Sequence, residues 1–203
     1  MRDPRFAKFV LFINSAVPLT LLGWDALHNT LGANPVEFAL RTTGMLTLIF
    51  LLLTLTVTPI RKLTGWNWLS HFRRMLGLFA FFYGTIHMAT YDALYANFDI
   101  PTIITDVTRR RFIIAGVLAW LLLLPLALTS TNWAIRKLGG KNWNRLHKLV
   151  YLAIICGVIH YWWQVKPGVL APMSITIIVA VLLLARPVLA LWQKRRTAAV
   201  KQA

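Results

Sequence analysis

FIIAGVLAWLLLLPLALT, residues 112–129, contains no charged side chain. A helix needs about 20 mostly apolar residues to cross the hydrocarbon core of a bilayer. This stretch is close to that length, and three arginines at 109–111 precede it. It therefore predicts a transmembrane helix, and similar stretches lie before and after it in the chain.

Five further apolar stretches are of comparable length. Together they predict six spans, near residues 9–27, 44–60, 75–96, 112–129, 146–164 and 171–192. The first follows basic residues, as a signal peptide does, but it is long and no small-residue cleavage site follows, so we expect it to be retained. The predicted fold class is an all-α integral membrane protein, a six-transmembrane-helix bundle forming one domain over residues 1–203.

The composition supports this fold class. Hydrophobic residues make up 58% of the chain, charged residues make up 14%, and the mean hydropathy is +0.62. Soluble domains have about 45–50% apolar and about 25% charged residues. Because too little polar surface remains to cover a soluble core, the composition excludes an ordinary soluble domain.

The charge pattern predicts how the bundle sits in the membrane. The formal net charge of +16 could indicate a nucleic-acid partner, but the basic residues lie between the apolar runs, as topology signals do. With the N-terminus in the cytoplasm, most Lys and Arg residues fall inside and most acidic residues fall outside. The pattern therefore predicts cytoplasmic N- and C-termini, contact of the basic residues with membrane lipid, and no nucleic-acid partner.

Several kinds of chemistry are excluded by missing motifs. Cys156 is the single cysteine, so the chain has no internal disulfide and no CxxCH motif for covalent haem attachment. There is also no HExxH motif, no Gly-rich phosphate loop and no pair of carboxylates within a span. We therefore expect no catalytic residue in the chain.

The histidines within the spans are the strongest functional signal. His87 lies about 12 residues into the third span, and His160 lies about 14 residues past the start of the fifth. Both spans run in the same direction, so a rise of about 1.5 Å per residue brings the two side chains to similar depth. Imidazole is a good iron ligand, and a six-coordinate haem needs one from each of two helices. The pattern predicts a b-type haem between His87 and His160.

His147 is a third candidate metal ligand, 13 residues before His160 and thus about 20 Å away along a helix. That separation suits a second, stacked haem. However, 13 residues turn an ideal helix by about 220° beyond three whole turns, so the two side chains would face different directions. The matching position on the third span holds Arg73 or Arg74, so a second haem would need His71, another ligand or none.

Arg73 and Arg74 are candidate cofactor-binding residues. Together with Arg145 they could bind haem propionates or a flavin phosphate, because the guanidinium fork suits such anions. The alternative is that these arginines act as topology signals and contact lipid headgroups. His71 and His28 lie outside the apolar runs and are expected at the surface.

Several segments resemble one known family, the MsrQ (YedZ) proteins, over nearly the whole chain and with the same order and spacing. The matching segments are residues 31–36, 73–78 through His87 and Tyr91, 129–131, 138–139, and 143–151 through His160 and Tyr161. The MsrQ family is similar to the ferric reductase-like transmembrane family. The resemblance implies a ferric reductase-like transmembrane domain in the bacterial inner membrane, with haem held by His87, His147 and His160.

The resemblance also implies partners and cofactors. They are a periplasmic molybdopterin enzyme, MsrP, which reduces methionine sulfoxide in oxidised proteins, the quinone pool as electron donor, and an associated FMN. The chain lacks the flavin and nicotinamide domains of larger relatives and the second histidine of their third span. We therefore predict a non-catalytic electron-transfer subunit, docked to its partner through outer loops that include residues 99–111. The alternatives are a ferric or quinone reductase with another acceptor, and a haem-free scaffold or transporter.

Overall fold

The structure, a computed structural model, describes residues 4–165 and 170–202. Every regular element within these residues is helical. Helices α1 to α8 span Pro4–Leu27, Pro35–Thr64, Arg73–Thr90, Ile100–Arg109, Arg111–Leu128, Asn132–Leu146, Leu149–Gln164 and Ala171–Gln202. A short 3₁₀ helix, Asn67–His71, precedes α3, and a π-helical turn, Tyr91–Tyr95, continues it. The all-α prediction is confirmed for this part of the chain.

Four helices are long and apolar enough to cross a membrane: Arg5–Leu27, Pro35–Thr64, Arg111–Leu128 and Ala171–Trp192. The pair α6 and α7, bent by 42° at the break between them, makes a fifth if it counts as one span. These helices correspond to the first, second, fourth, sixth and fifth predicted spans. The chain is therefore a multi-pass membrane protein with four to five spans of this kind among the described residues.

The third predicted span, residues 75–96, corresponds to α3 and the π-helical turn that follows it. Its composition is less apolar than that of the other spans, because α3 begins with Arg73 and Arg74 and also contains glycine, threonine and histidine. At about 1.5 Å per residue, its 18 residues extend roughly 27 Å, slightly less than the hydrocarbon thickness. A sixth span and cytoplasmic termini therefore stay predictions.

The surface of the bundle is apolar, as contact with lipid requires. Only 6% of the most apolar stretch of α8 is buried inside the protein, and Ile177, Val181, Leu184 and Val188 on this helix are exposed. A soluble protein rarely exposes so large an apolar patch. These side chains face hydrocarbon rather than water.

The core lies between two helix pairs, α2 with α3 and α5 with α7. Tyr83 and Ala153 are completely buried there, and Leu55 is 1% exposed. The Phe50 ring stacks against those of Phe79 and Tyr83, with centroids 5.4 Å apart in both pairs. Close packing of these four helices fixes the walls of the site described below.

The fifth predicted span, residues 146–164, differs from the structure at its beginning. Helix α7 begins at Leu149, and His147 caps the end of α6 rather than extending α7. Helix α6 itself bends at Gly139, whose φ of 73° is a left-handed conformation that glycine adopts without strain. The rotation of about 220° expected between His147 and His160 on one ideal helix therefore does not apply, because the two residues do not share one helix.

Candidate functional site

His87 and His160 meet in the interior of the bundle. His87 lies in the last turn of α3 and His160 lies near the end of α7. Their ring centroids are 6.0 Å apart, and the ring planes cross at 84°. Both side chains line a cavity of about 260 Å³ between α2, α3, α5 and α7. The similar depth expected from helical rise thus brings these two histidines next to each other, with their rings nearly perpendicular.

One nitrogen of each imidazole is bonded to a backbone carbonyl. His87 Nδ1 lies 2.9 Å from the Leu40 carbonyl oxygen on α2, and His160 Nδ1 lies 2.6 Å from the Phe112 carbonyl oxygen on α5. A carbonyl oxygen only accepts, so each Nδ1 carries the proton and donates it. Each Nε2 is then unprotonated and keeps a lone pair, as a metal ligand requires.

A glycine leaves room for each imidazole. A Cβ at Gly44 would lie 3.1 Å from Cε1 of His87, and a Cβ at Gly116 would lie 2.8 Å from Nδ1 of His160. Each glycine lies four residues after the carbonyl that accepts the hydrogen bond, about one turn along the same helix. Helices α2 and α5 therefore hold the two histidines in the same way, with a carbonyl to bind Nδ1 and a glycine to admit the ring.

The cavity walls are mainly apolar, and four glycines line them: Gly44, Gly84, Gly116 and Gly157. Trp120 forms part of one wall, where its indole N–H donates to Thr85 Oγ1 at 3.0 Å. Arg41 is the one arginine on the lining. An apolar cavity with a few fixed polar groups is typical of cofactor sites.

These residues fit a haem better than a metal ion alone. An iron between two imidazoles needs ring centroids about 6 Å apart, because each bond to a first-row metal spans about 2 Å and each nitrogen lies roughly 1 Å from its ring centre. Within residues 4–165 and 170–202, no group of three or more His, Cys, Asp or Glu could hold a metal ion. Two histidines are too few for a zinc site but suit iron whose other ligands come from a porphyrin.

His147 lies apart from this cavity. Its ring stacks on Trp143, with centroids 3.8 Å apart, and its Nε2 lies 3.1 Å from Thr129 Oγ1. That hydroxyl donates to the Pro125 carbonyl oxygen at 2.6 Å, so it accepts the hydrogen bond from His147. The Nε2 of His147 is therefore protonated, whereas the Nε2 atoms of His87 and His160 are unprotonated.

Arg73 and Arg74, predicted to bind a cofactor, do not line the cavity either. Both begin α3, at the end of the bundle where α2 finishes, which we call the basic end. Arg74 donates to the Asn132 side-chain oxygen at 2.9 Å. The cofactor-binding role of these arginines stays a prediction that concerns the basic end rather than the cavity.

The predicted docking segment, residues 99–111, contains α4 and the start of α5. Asp106 is buried, accepts a hydrogen bond from the Tyr91 hydroxyl at 2.5 Å and pairs with Arg110 at 3.0 Å. Arg110 also lies 3.3 Å from the Tyr95 hydroxyl. Arg110 therefore links α4 to the π-helical turn of the bundle. Arg109 and Arg111 are exposed and do not take part in this link.

Comparison with known proteins gives the family. Residues 42–158 match the model of the ferric reductase like transmembrane component. The match covers more than half of the chain and includes His87, His147 and Gly116.

Curated relatives agree along nearly the whole length. The protein is 48% identical over 190 residues to the protein-methionine-sulfoxide reductase heme-binding subunit MsrQ of Herminiimonas arsenicoxydans, which covers 93% of this chain and 87% of the relative. It is 42% identical over 202 residues to the MsrQ of Ralstonia nicotianae, covering 98% and 91%. The MsrQ of Azospira oryzae is 48% identical over 177 residues, covering 87% and 76%. The chain belongs to the ferric reductase-like transmembrane family and, within it, to the MsrQ proteins.

Proposed function

We propose that this protein is the haem b-binding electron-transfer subunit of a protein-methionine-sulfoxide reductase. It passes electrons from the quinone pool, or from a reduced flavin such as FMN, to a periplasmic molybdopterin enzyme of the MsrP type. The subunit itself carries out no bond chemistry on the sulfoxide. The observation that carries the proposal is the pair His87 and His160, which line one cavity with ring centroids 6.0 Å apart, each with its Nδ1 bonded to a backbone carbonyl.

His87 and His160 are the residues that would hold one haem b, through their unprotonated Nε2 atoms. The group supplies one-electron redox chemistry when bound, and the protein sets its orientation and surroundings. The Leu40 and Phe112 carbonyls fix the ring orientations and raise the basicity of the ligating nitrogens. The apolar lining limits the access of water, which is one of the ways a protein sets a haem potential.

The basic end is the proposed donor side. His147 is a candidate ligand of a second haem there, provided that its bond to Thr129 is given up. Arg73 and Arg74 offer guanidinium groups for haem propionates or an FMN phosphate. The family's quinone and flavin partners motivate this assignment, and the separation of the basic end from the cavity supports a two-sided relay.

The opposite end of the bundle is the proposed acceptor side. The amphipathic helix α4 and the exposed Arg109 and Arg111 would contact the periplasmic partner, while Arg110 stays bonded to Asp106. In this proposal the protein has six spans in the bacterial inner membrane, and both termini lie in the cytoplasm. The excess of basic residues at the other end supports that orientation.

The proposal is tested by following haem oxidation in the purified holoprotein. After reduction by a quinol, a catalytic amount of an MsrP-type protein together with methionine sulfoxide should oxidise the haem. Methionine sulfoxide alone should not, and the same amount of partner alone should oxidise no more haem than its own redox centre can accept electrons from. An Arg109→Ala, Arg111→Ala double variant should slow this oxidation, whereas Lys141→Ala, at the basic end, should not. Equal oxidation by a soluble ferric chelate without the partner would favour the ferric reductase alternative, and well-folded protein without any haem band would favour a scaffold or transporter.

A further inference from the structure

Thr43 is a polar residue in the core of the bundle, on α2 next to Gly44. It is completely buried, and it does not line the cavity. Its hydroxyl donates to the Ala39 carbonyl oxygen at 2.7 Å, and the Leu40 carbonyl oxygen lies 3.2 Å away. Threonines within helices often form such a bond to the preceding turn. The hydroxyl proton is therefore bonded within α2, and the lone pairs of Oγ1 can still accept a hydrogen bond.

The hydroxyl oxygen of Thr43 is also in contact with His87. Thr43 Oγ1 lies 3.4 Å from His87 Nδ1, whose main acceptor is the Leu40 carbonyl oxygen at 2.9 Å. Nδ1 carries the proton because a carbonyl oxygen only accepts, and the proton of the hydroxyl points to Ala39. The Nδ1–H is therefore shared between two acceptors, with a short bond to the carbonyl and a longer one to the hydroxyl.

Helix α5 offers His160 a matching frame with one difference. The Phe112 carbonyl oxygen lies 2.6 Å from His160 Nδ1, and Gly116 follows one turn later, as Gly44 follows Leu40 on α2. The residue before Gly116 is Ala115, which has no hydroxyl. A carbonyl and a glycine are therefore enough to hold an imidazole in this bundle. Thr43 is not needed for that task, so its buried hydroxyl calls for another explanation.

We propose that Thr43 is a positioning residue that acts through His87 and lowers the reduction potential of the haem. The inference rests on the proposed function, in which His87 Nε2 would hold the iron. A second acceptor on Nδ1–H increases the basicity of the imidazole, so Nε2 becomes a stronger electron donor. A stronger donor favours ferric over ferrous iron, and this preference lowers the potential. Electron transfer from the reduced protein to an acceptor then becomes more favourable.

The test measures the midpoint potential of the haem in the purified holoprotein, by redox titration followed at the α band. Valine has a shape similar to that of threonine but no hydroxyl. In Thr43→Val the potential should therefore become more positive, and the affinity for ferric haemin should fall about two- to tenfold, as expected for one neutral hydrogen bond. Thr43→Ser restores the hydroxyl and should stay close to the wild type. Thr43→Ala should shift the potential in the same direction as valine, and it replaces Thr43→Val if that variant does not fold.

Thr47→Val is the matched control. Thr47 lies one turn further along α2, donates to the Thr43 carbonyl oxygen at 2.9 Å and lines the cavity, but it is not bonded to either imidazole. If the polarity of the cavity set the potential, Thr47→Val would shift it at least as much as Thr43→Val, and this result would overturn the proposal. An unchanged or more negative potential in Thr43→Val would also overturn it, as would a Thr43→Ser variant that behaves like Thr43→Val.

Electron paramagnetic resonance of the same ferric samples separates this inference from the proposed function. If the wild type shows two imidazole ligands and the potentials do not follow the predicted order, the role of Thr43 is wrong and the haem site stands. If the wild type binds no haem, or binds it through other ligands, the proposed function fails, and the role of Thr43 fails with it.

Discussion

His87 and His160 line the cavity, whereas His147 lies at the junction between α6 and α7. Both regions place histidine nitrogens beside backbone or hydroxyl oxygens, but a different ring nitrogen is protonated in each. In the cavity, each Nδ1 donates to a backbone carbonyl, which leaves each Nε2 unprotonated, and the two ring centroids lie 6.0 Å apart. At the junction, it is Nε2 that donates, to Thr129. The comparison teaches that the hydrogen-bond partner, more than burial, decides which histidine is ready to bind a metal.

The largest effect should follow from removal of either cavity histidine. His87→Ala and His160→Ala should each lose most of the bound haem, because each removes one of the two imidazoles that would hold it. His147→Ala should keep the main Soret band of the cavity haem. The haem content per protein, measured as the pyridine haemochrome, checks this result. Equal loss in all three variants would remove the distinction between the two regions.

The glycines beside the imidazoles should give a graded effect. Gly116→Ala would place Cβ 2.8 Å from the Nδ1 of His160, and Gly44→Ala would place it 3.1 Å from Cε1 of His87. Disturbing a hydrogen bond that orients a metal ligand costs about 10–100-fold in affinity, so Gly116→Ala should weaken haem binding in that range and Gly44→Ala by less. Titration of apoprotein with haemin measures both.

Gly77→Ala is the matched control for this series. Its Cβ would lie 3.8 Å from the Thr54 side chain, an ordinary contact far from either histidine. Alanine is also the better helix former, so the variant should be at least as stable as the wild type. Gly77→Ala could instead bind haemin more weakly than Gly44→Ala and Gly116→Ala. That result would show that helix packing in general controls the haem content and that the cavity glycines have no special role.

A smaller effect is expected at the junction. Thr129→Val removes the acceptor of the His147 hydrogen bond and should lower the free energy of unfolding by about 1 kcal/mol. The affinity of the cavity for haemin should stay within about twofold of the wild type, because Thr129 does not line the cavity. Thermal unfolding and haemin titration of the same preparation separate the two results.

The smallest effect should come from the arginines that the sequence assigned to a cofactor. Arg74→Gln should leave the haem of the cavity unchanged, because Arg74 bonds to Asn132 at the basic end. The optical spectrum and the haem content check this. A loss of haem as large as that in His160→Ala would place Arg74 in the cavity site and contradict the geometry described above.

Much of this architecture was predictable from the sequence because its causes are local. Apolar runs predict membrane helices through composition alone, and constant helical rise predicts that His87 and His160 share a depth. The same reasoning placed His147 on one helix with His160, which is wrong. The break after Leu146 lies where Trp143 and His147 form hydrogen bonds to Thr129, and neither hydropathy nor helical rise predicts these contacts.

The parts of the site that were missed depend on contacts between distant segments. Leu40 and Phe112 contribute carbonyl oxygens, which no side-chain pattern reveals, and Gly44 and Gly116 contribute only space. A glycine four residues after an apolar residue is common within spans, so the signal is visible only once its partner histidine is known. Arg186 is similar, because in the sequence it is an isolated charge within an apolar helix, and its hydrogen bond to the Tyr151 hydroxyl becomes visible only in the structure.

The most direct test of the central claim is the axial ligation of the ferric haem in the purified wild-type protein. Near-infrared magnetic circular dichroism and low-temperature electron paramagnetic resonance distinguish two imidazole ligands from other ligand pairs. The structure predicts a low-spin, bis-imidazole signal that disappears in both His87→Ala and His160→Ala and is retained in His147→Ala. A high-spin or mixed-ligand signal in the wild type, or a bis-imidazole signal that survives His160→Ala, would contradict the assignment.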